Sequence, residues 1–347
     1  MGIFKALSIT CSLLLSLPLS AQEAAYKEKL DSIIHYIAKD RCKQKEIFYY
    51  DRHGRISQIA LYRWGRGTDR WRLYSLTQCK YDAEGRNILW EQNLLSENTW
   101  ETSHRMEAEY DEKGNMVKLI NDSREYFIYE RGADGRLESE TFLYPKNGGW
   151  RESQIHRYTH DEAGNVTSYI LSEKRGDKWV QVENMRYGYD ANGNKTSESR
   201  YYMSHSKNCW VLADSTTYSY DADRRMTKRC RYSEDENGKW RASSERTYTY
   251  DVAGNQIEMQ DFLLAPDKPF TRTVLEYDAS VPTAQVCGLQ TEPLLYWKLY
   301  TNYLDLTDDL CKYTAKIKSH RIIDLNETTA YDMSEDATFY YSPISAE

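Results

Sequence analysis

The residues of this chain that are equipped for chemistry are scattered, not gathered. Seven histidines stand at positions 35, 53, 104, 156, 160, 205 and 320, and none sits in the HExxH arrangement that holds zinc. His156 and His160 are four apart, a ligand pair on a helix but about 13 Å apart along a strand. There is no GxSxG, no Cys-x-x-Cys and no glycine-rich phosphate loop. The carboxylate pairs Glu138/Glu140 and Asp308/Asp309 read as solvated faces. No catalytic residue, metal or cofactor is expected. What does recur is aromatic and turn chemistry: Tyr 30, Trp 9 and Phe 7, so that aromatics are 13% of the chain against 40% hydrophobic in all.

Those aromatics must be positioned by repeats, because the same phrase returns at a fixed step. Tyr-Asp-x-x-Gly-Asn/Arg begins at Tyr50-Asp51, Tyr81-Asp82, Tyr110-Asp111, Tyr189-Asp190 and Tyr250-Asp251, with variants at His160-Asp161 and Tyr220-Asp221. A degenerate copy, Arg131-Gly132-Ala133-Asp134-Gly135-Arg136, lies between the third and fourth, and a truncated Tyr277-Asp278 ends the series. The step is about 30 residues, a period that signals a repeat architecture. Trp71, Trp100, Trp150, Trp179, Trp210 and Trp240 each precede a repeat aspartate by 11 residues, while the interval on the other side varies. A rigid strand into a tight turn, followed by a looser return, behaves this way. In Trp179/Tyr187/Tyr189, Trp210/Tyr218/Tyr220 and Trp240/Tyr248/Tyr250 the spacings are even, which predicts one shared face.

The phrase reads as a hairpin turn. Aspartate at its start (Asp51, Asp82, Asp111, Asp161, Asp190, Asp221, Asp251) accepts hydrogen bonds from the following N–H groups, and glycine takes the left-handed position (Gly54, Gly85, Gly114, Gly164, Gly193, Gly254). Arg224 fills the glycine slot of the seventh copy and is expected to cost on the order of 1 kcal/mol. Calcium is the competing use of such aspartates, but equivalent turns lie roughly 9.5 Å apart while calcium–oxygen distances are about 2.4 Å. Each turn would then have to supply a whole site from one Asp and one Asn.

The recurring phrase resembles the YD repeat, related to RHS repeats, over roughly residues 44 to 280. The resemblance implies one β-hairpin per repeat, a surface or secreted location and, in some members, carbohydrate or cell-surface binding. The unit here is longer than the short RHS form and carries its own Trp. No Asp-Pro pair occurs, so the self-cleaving core that closes RHS toxin shells is missing, and no toxin role is carried over.

The remaining sequence sets the address and the ends. Lys5 followed by an apolar run from Ala6 to Leu19, with small residues before Gln22, predicts a signal peptide over 1–21 cleaved near Ala21. Cys11 inside that run is the alternative, a lipid-attachment site. Residues 22–280 form the repeat region, and 281–347 a connecting segment with capping strands. The run from Leu30 to Ile37 reads as an opening strand in preference to a helix. Cys42, Cys79, Cys209, Cys230, Cys287 and Cys311 then face an oxidising compartment, with Cys209 and Cys230 the first disulfide candidate.

The expected fold is all-β: an elongated, curved antiparallel meander of about eight to nine hairpins, coiled or solenoid-like, since open sheets rarely exceed about ten strands without curling. A net charge of −7 argues against nucleic acid, and no later apolar stretch suits a membrane helix. The expected function is non-enzymatic: a secreted or cell-surface module for a glycan or protein ligand. Trp100, Trp150, Trp179, Trp210, Trp240, Tyr187, Tyr218 and Tyr248 are the stacking candidates. An extracellular enzyme or inhibitor with its site in 283–336 is the alternative, and a purely structural filament the third reading.

Overall fold

The computed structural model describes residues 28–37, 42–65, 67–122, 124–263, 269–282, 285–287, 315–325 and 335–343. The leader, Cys11, Asp308/Asp309 and most of segment 283–336 lie outside these residues. The first strands are β1 (Glu28–Ile37), β2 (Cys42–Tyr50), β3 (Ile56–Gly65), β4 (Arg70–Tyr81), β5 (Asn87–Ser96), β6 (Thr99–Tyr110) and β7 (Met116–Asn121). Then come β8 (Glu125–Arg131), β9 (Leu137–Lys146), β10 (Gly149–His160), β11 (Val166–Arg175), β12 (Lys178–Tyr189), β13 (Lys195–Ser204) and β14 (Cys209–Tyr220). The last are β15 (Met226–Glu234), β16 (Trp240–Tyr250), β17 (Gln256–Leu263), β18 (Pro269–Pro282), β19 (Val286–Cys287), β20 (Ala315–Asp324) and β21 (Glu335–Pro343).

Successive strands from β1 to β18 pair antiparallel, and the chain then closes on itself. β18 pairs with β20, β20 with β21, and β21 with β1, where Ile33 lies opposite Phe339 and His35 opposite Ala337. The result is a closed 20-strand antiparallel β-barrel, not the open, coiled or solenoid-like meander that the repeats suggested. The physical reason is the edge: an open sheet of this length leaves two rows of unpaired N–H and C=O groups, and closure removes both. β20 pairs with β18 and β21 with β1, and the two strands complete the ring. The two-residue β19 adds a short parallel pairing, Val286 opposite Glu28.

The even-spacing rule fails inside the repeat, and a bulge is the cause. In β14, Arg200 of β13 lies opposite Asp214, but its neighbour Tyr201 lies opposite Leu212, so Ala213 is an extra, unpaired residue. The same break falls three residues after the Trp at Tyr74, Ser103, Ser153, Val182 and Ser243. One extra residue reverses the alternation of side chains beyond it. Trp179, Trp210 and Trp240 consequently lie on the face opposite Tyr187, Tyr218 and Tyr248.

Which face is concave follows from the core. Leu30, Ile33, Phe48, Ile56, Ile59, Leu275, Val286, Ile317 and Ala337 form one buried cluster. These residues come from β18, β20, β21, β1, β2 and β3, with β19, so strands that are not neighbours meet there, which only the concave side of a curved sheet permits. Phe48 and Leu275 occupy the slot three residues before the repeat aspartate, the slot of Tyr187, Tyr218 and Tyr248. The tyrosine row is thus concave and the tryptophan row convex.

Candidate functional site

The turn phrase builds a rim at one end of the barrel. In the turn at Asp190, Oδ1 accepts from the N–H groups of Asn192 and Asn194 at 2.9 Å, and Oδ2 accepts from Nδ2 of Asn194 at 2.8 Å. Backbone bonds from Asp190 N to Asn194 O and from Gly193 N to Asp190 O close it. Asp51, Asp82, Asp111, Asp161, Asp221 and Asp251 repeat the scheme. Gly54, Gly85, Gly114, Gly164, Gly193 and Gly254 have φ between 74° and 92°, and Arg224 takes the same conformation at 62°. The amide donated by Asn194 holds the Asp190 carboxyl below its ordinary range, and Asn115 and Asn165 do the same for Asp111 and Asp161.

Tyrosines before the turn aspartates tie one hairpin to the previous one, and Tyr341, followed by Ser342, makes the same bond at the closing strand. Tyr50, Tyr81, Tyr110, Tyr189, Tyr220, Tyr250 and Tyr341 donate their hydroxyls to the carbonyls of Leu30, Ile56, Asn87, Val166, Lys195, Met226 and Ile317, at 2.5 to 3.0 Å. Five of these carbonyls belong to the first residue of a strand, ahead of its ladder to the strand that carries the tyrosine. Arg86 and Arg136 add a second link, each donating to the carbonyl of the next repeat aspartate, Asp111 and Asp161.

The stacking candidates separate into two sites. On the convex face, near the opposite rim, Trp100, Trp150 and Trp240 expose 44%, 37% and 36% of their surface, while Trp179 and Trp210 are half-buried. Trp150 meets Tyr126 edge-on at 5.3 Å and Trp71 meets Trp64 at 5.2 Å. Lys174 lies over the Trp179 ring at 4.6 Å. The tryptophans from Trp150 to Trp240 stand on alternate strands, about 9.6 Å per step.

On the concave face Tyr158, Tyr169 and Tyr187 form a ring ladder, with centroids 5.8 and 6.4 Å apart. Tyr158 donates to Glu140 at 3.0 Å and Tyr169 to Glu183 at 3.2 Å. Burial, and then the adjacent carboxylate, pushes both phenols far above their ordinary range, and burial with Glu198 does so for Tyr187 and Tyr218. These phenols stay neutral, and Tyr158 and Tyr169 act as donors. His156 Nδ1 approaches Glu140 at 3.4 Å, and its ring meets Tyr169 edge-on at 5.1 Å. Further round, Arg200 and Arg231 converge on Asp214, and Arg246 holds Asp261 at 2.6 Å.

Cys209 and Cys230 are free thiols, so the pairing suggested by their flanking of a hairpin is not made. The register explains it: Cys230 lies opposite Thr217, eight residues along β14 from Cys209, about 27 Å. His156 and His160 lie along β10, and no group of three metal-ligating side chains forms among the described residues. The sequence reading missed the polar wall of Glu140, Glu183, Arg200, Asp214 and Arg231, whose signal is alternation counted afresh after each bulge. It also missed Asp235, which builds the same turn with Gly238 at the other rim.

No family model matches the chain, and no curated protein matches it. Solved structures that are similar include a DUF3836 family protein from Bacteroides vulgatus, at 20% identity over 26% of this chain and 90% of that one, TM-score 0.23. A protein of unknown function from Bacteroides fragilis is 14% identical, over 34% of this chain and 89% of that one, TM-score 0.28. The TcdB2-TccC3 complex is 13% identical over 84% of this chain and 19% of that one, TM-score 0.30.

Proposed function

We propose that the chain is an exported, non-enzymatic binding module of the YD-repeat kind, whose convex tryptophan row stacks on carbohydrate. The observation that carries this reading is the exposure of Trp100, Trp150 and Trp240 at one fixed register on the outer face. Large aromatics repeated in the open mark an interaction surface, and an indole offers a flat apolar face with one polar edge, suited to a sugar ring. The bulge matters here, because it turns each Trp away from the tyrosines that hold the wall. The signal-like sequence of residues 1–21 and the repeated turn phrase support a secreted or cell-surface setting.

The test is a glycan array probed with the full chain, followed by titration of any hit with Trp240→Ala and Trp150→Ala. The reading predicts weakened binding in both variants at unchanged melting temperature. No glycan binding, or binding indifferent to both substitutions, contradicts it.

A further inference from the structure

The concave wall from β12 to β15 gathers charged and aromatic side chains on the face opposite the tryptophan row. Arg231 donates from Nη2 to Asp214 Oδ2 at 3.1 Å, and the same oxygen already accepts from Nε of Arg200 at 2.8 Å and from its Nη2. A guanidinium carries five N–H donors in a planar fork, so Arg231 keeps most of its donors unused while its side chain is 48% exposed. Arg200 also lies 3.7 Å from Glu183 Oε2, and Glu183 accepts from Tyr169. On the same face, two residues along β13 from Arg200, Tyr202 leaves 49% of its surface open. Arg231 lies level with Glu198, so Tyr202 stands about 13 Å along the strands and two strands across from it, and a ligand that meets both is a short oligomer.

The charge pattern selects the ligand. Arg200, Arg229, Arg231 and Lys195 share this face with Glu183, Glu198 and Asp214, so positive groups stand between carboxylates and form no continuous run for a polyanion such as a nucleic acid or a heavily sulfated chain. The patch accepts a ligand with one isolated carboxylate, matched to the free side of the Arg231 fork. The neighbouring carboxylates and phenols suit hydroxyl groups, and the Tyr202 face suits a sugar ring. We infer that this wall is a second site, separate from the convex tryptophans, that binds a carboxylate-bearing sugar of the uronic acid class. The inference does not depend on the tryptophan reading, because its residues lie on the other face of the sheet.

The test is calorimetric titration of the full chain with a short oligogalacturonate and, as control, the neutral galacto-oligosaccharide of equal length. The expected result is binding of the acidic oligomer, weakened about tenfold or more by Arg231→Gln, as loss of a charged hydrogen bond implies. Tyr202→Ala should weaken it as well, whereas Trp240→Ala leaves it unchanged. Melting curves and far-UV spectra of each variant separate lost binding from lost fold, and Arg231→Lys, which keeps the charge but not the fork, should give intermediate affinity. The inference is overturned if the acidic oligomer does not bind, if the neutral oligomer binds equally well, or if a folded Arg231→Gln protein binds like the parent. Loss of uronate binding in Trp240→Ala alone would move the site to the convex face and equally overturn it.

Discussion

Two stretches of one concave surface use the same repeat slot for different purposes. Where the ring closes, the slot three residues before the repeat aspartate holds Phe48 and Leu275, and these residues, with Phe339 of β21, join or pack against the cluster centred on Leu30, Ile33 and Ile317. From β10 to β16 the slot holds Tyr158, Tyr187, Tyr218 and Tyr248, and the surrounding positions carry Glu140, Glu183, Arg200, Asp214 and Arg231. The first stretch excludes water and ties together chain segments some three hundred residues apart. The second keeps aromatic bodies in the wall while their hydroxyls meet carboxylates. The larger buried apolar cluster lies where the ends are joined and a smaller one at Tyr248 and Met259, while the tyrosine latches and turns hold each hairpin to the last.

Acid should act on the whole ring and separate the two stretches. The turn carboxyls of Asp111, Asp161 and Asp190 lie below their ordinary range because of hydrogen bonds from Asn115, Asn165 and Asn194. The Ser280 hydroxyl first, and Lys316 further, bring Asp278 down to about 2. Depressed carboxyls contribute stability that is complete above the unfolded value and lost as pH falls through the folded one. Stability should accordingly fall between about pH 4 and pH 2. Amide exchange followed over that range should show the β10–β16 wall losing protection before the closing stretch; the reverse order would break the comparison.

Removing side-chain volume is the next largest effect. Ile33→Ala, in the buried closing cluster, should cost about 2–5 kcal/mol in denaturant unfolding, whereas Tyr187→Leu on the wall should cost less than about 1.5 kcal/mol. Equal costs would mean that the wall is as tightly packed as the closure. Tyr220→Phe deletes one hydroxyl bond to the Lys195 carbonyl and should cost about 1 kcal/mol, with exchange rising at the adjoining hairpin. The smallest effect carries the opposite sign: Arg224→Gly relieves a left-handed backbone and should raise stability by at most about 1 kcal/mol.

The local parts of this architecture were legible because they repeat. Tyr-Asp-x-x-Gly-Asn/Arg spells out a turn whose every residue has a bond to make, and the Trp interval fixes a strand that allows no insertion. The bulge was not legible, since its position holds Tyr74, Ser103, Ser153, Val182, Ala213 and Ser243, residues with no common chemistry. Without it, Trp and Tyr read as one face. Closure was hidden for a different reason: the pairing of β1 with β21 joins a segment before the first Tyr-Asp phrase to one after the last, and nothing in a periodic pattern records how its ends meet. The concave polar wall was hidden by both, because it requires the corrected alternation and a ring to enclose it.

The claim on which the rest depends is that the ring is closed, and β1 tests it. Ser32–Ile37 pairs with β2 on one side and with β21 on the other, so consecutive amides point alternately into two ladders. Residue-resolved hydrogen exchange on the full chain under native conditions should find every amide from Ser32 to Tyr36 protected. Fast exchange at alternate residues, leaving only the β2-facing amides protected, would show β1 to be a free edge and would contradict the closed barrel.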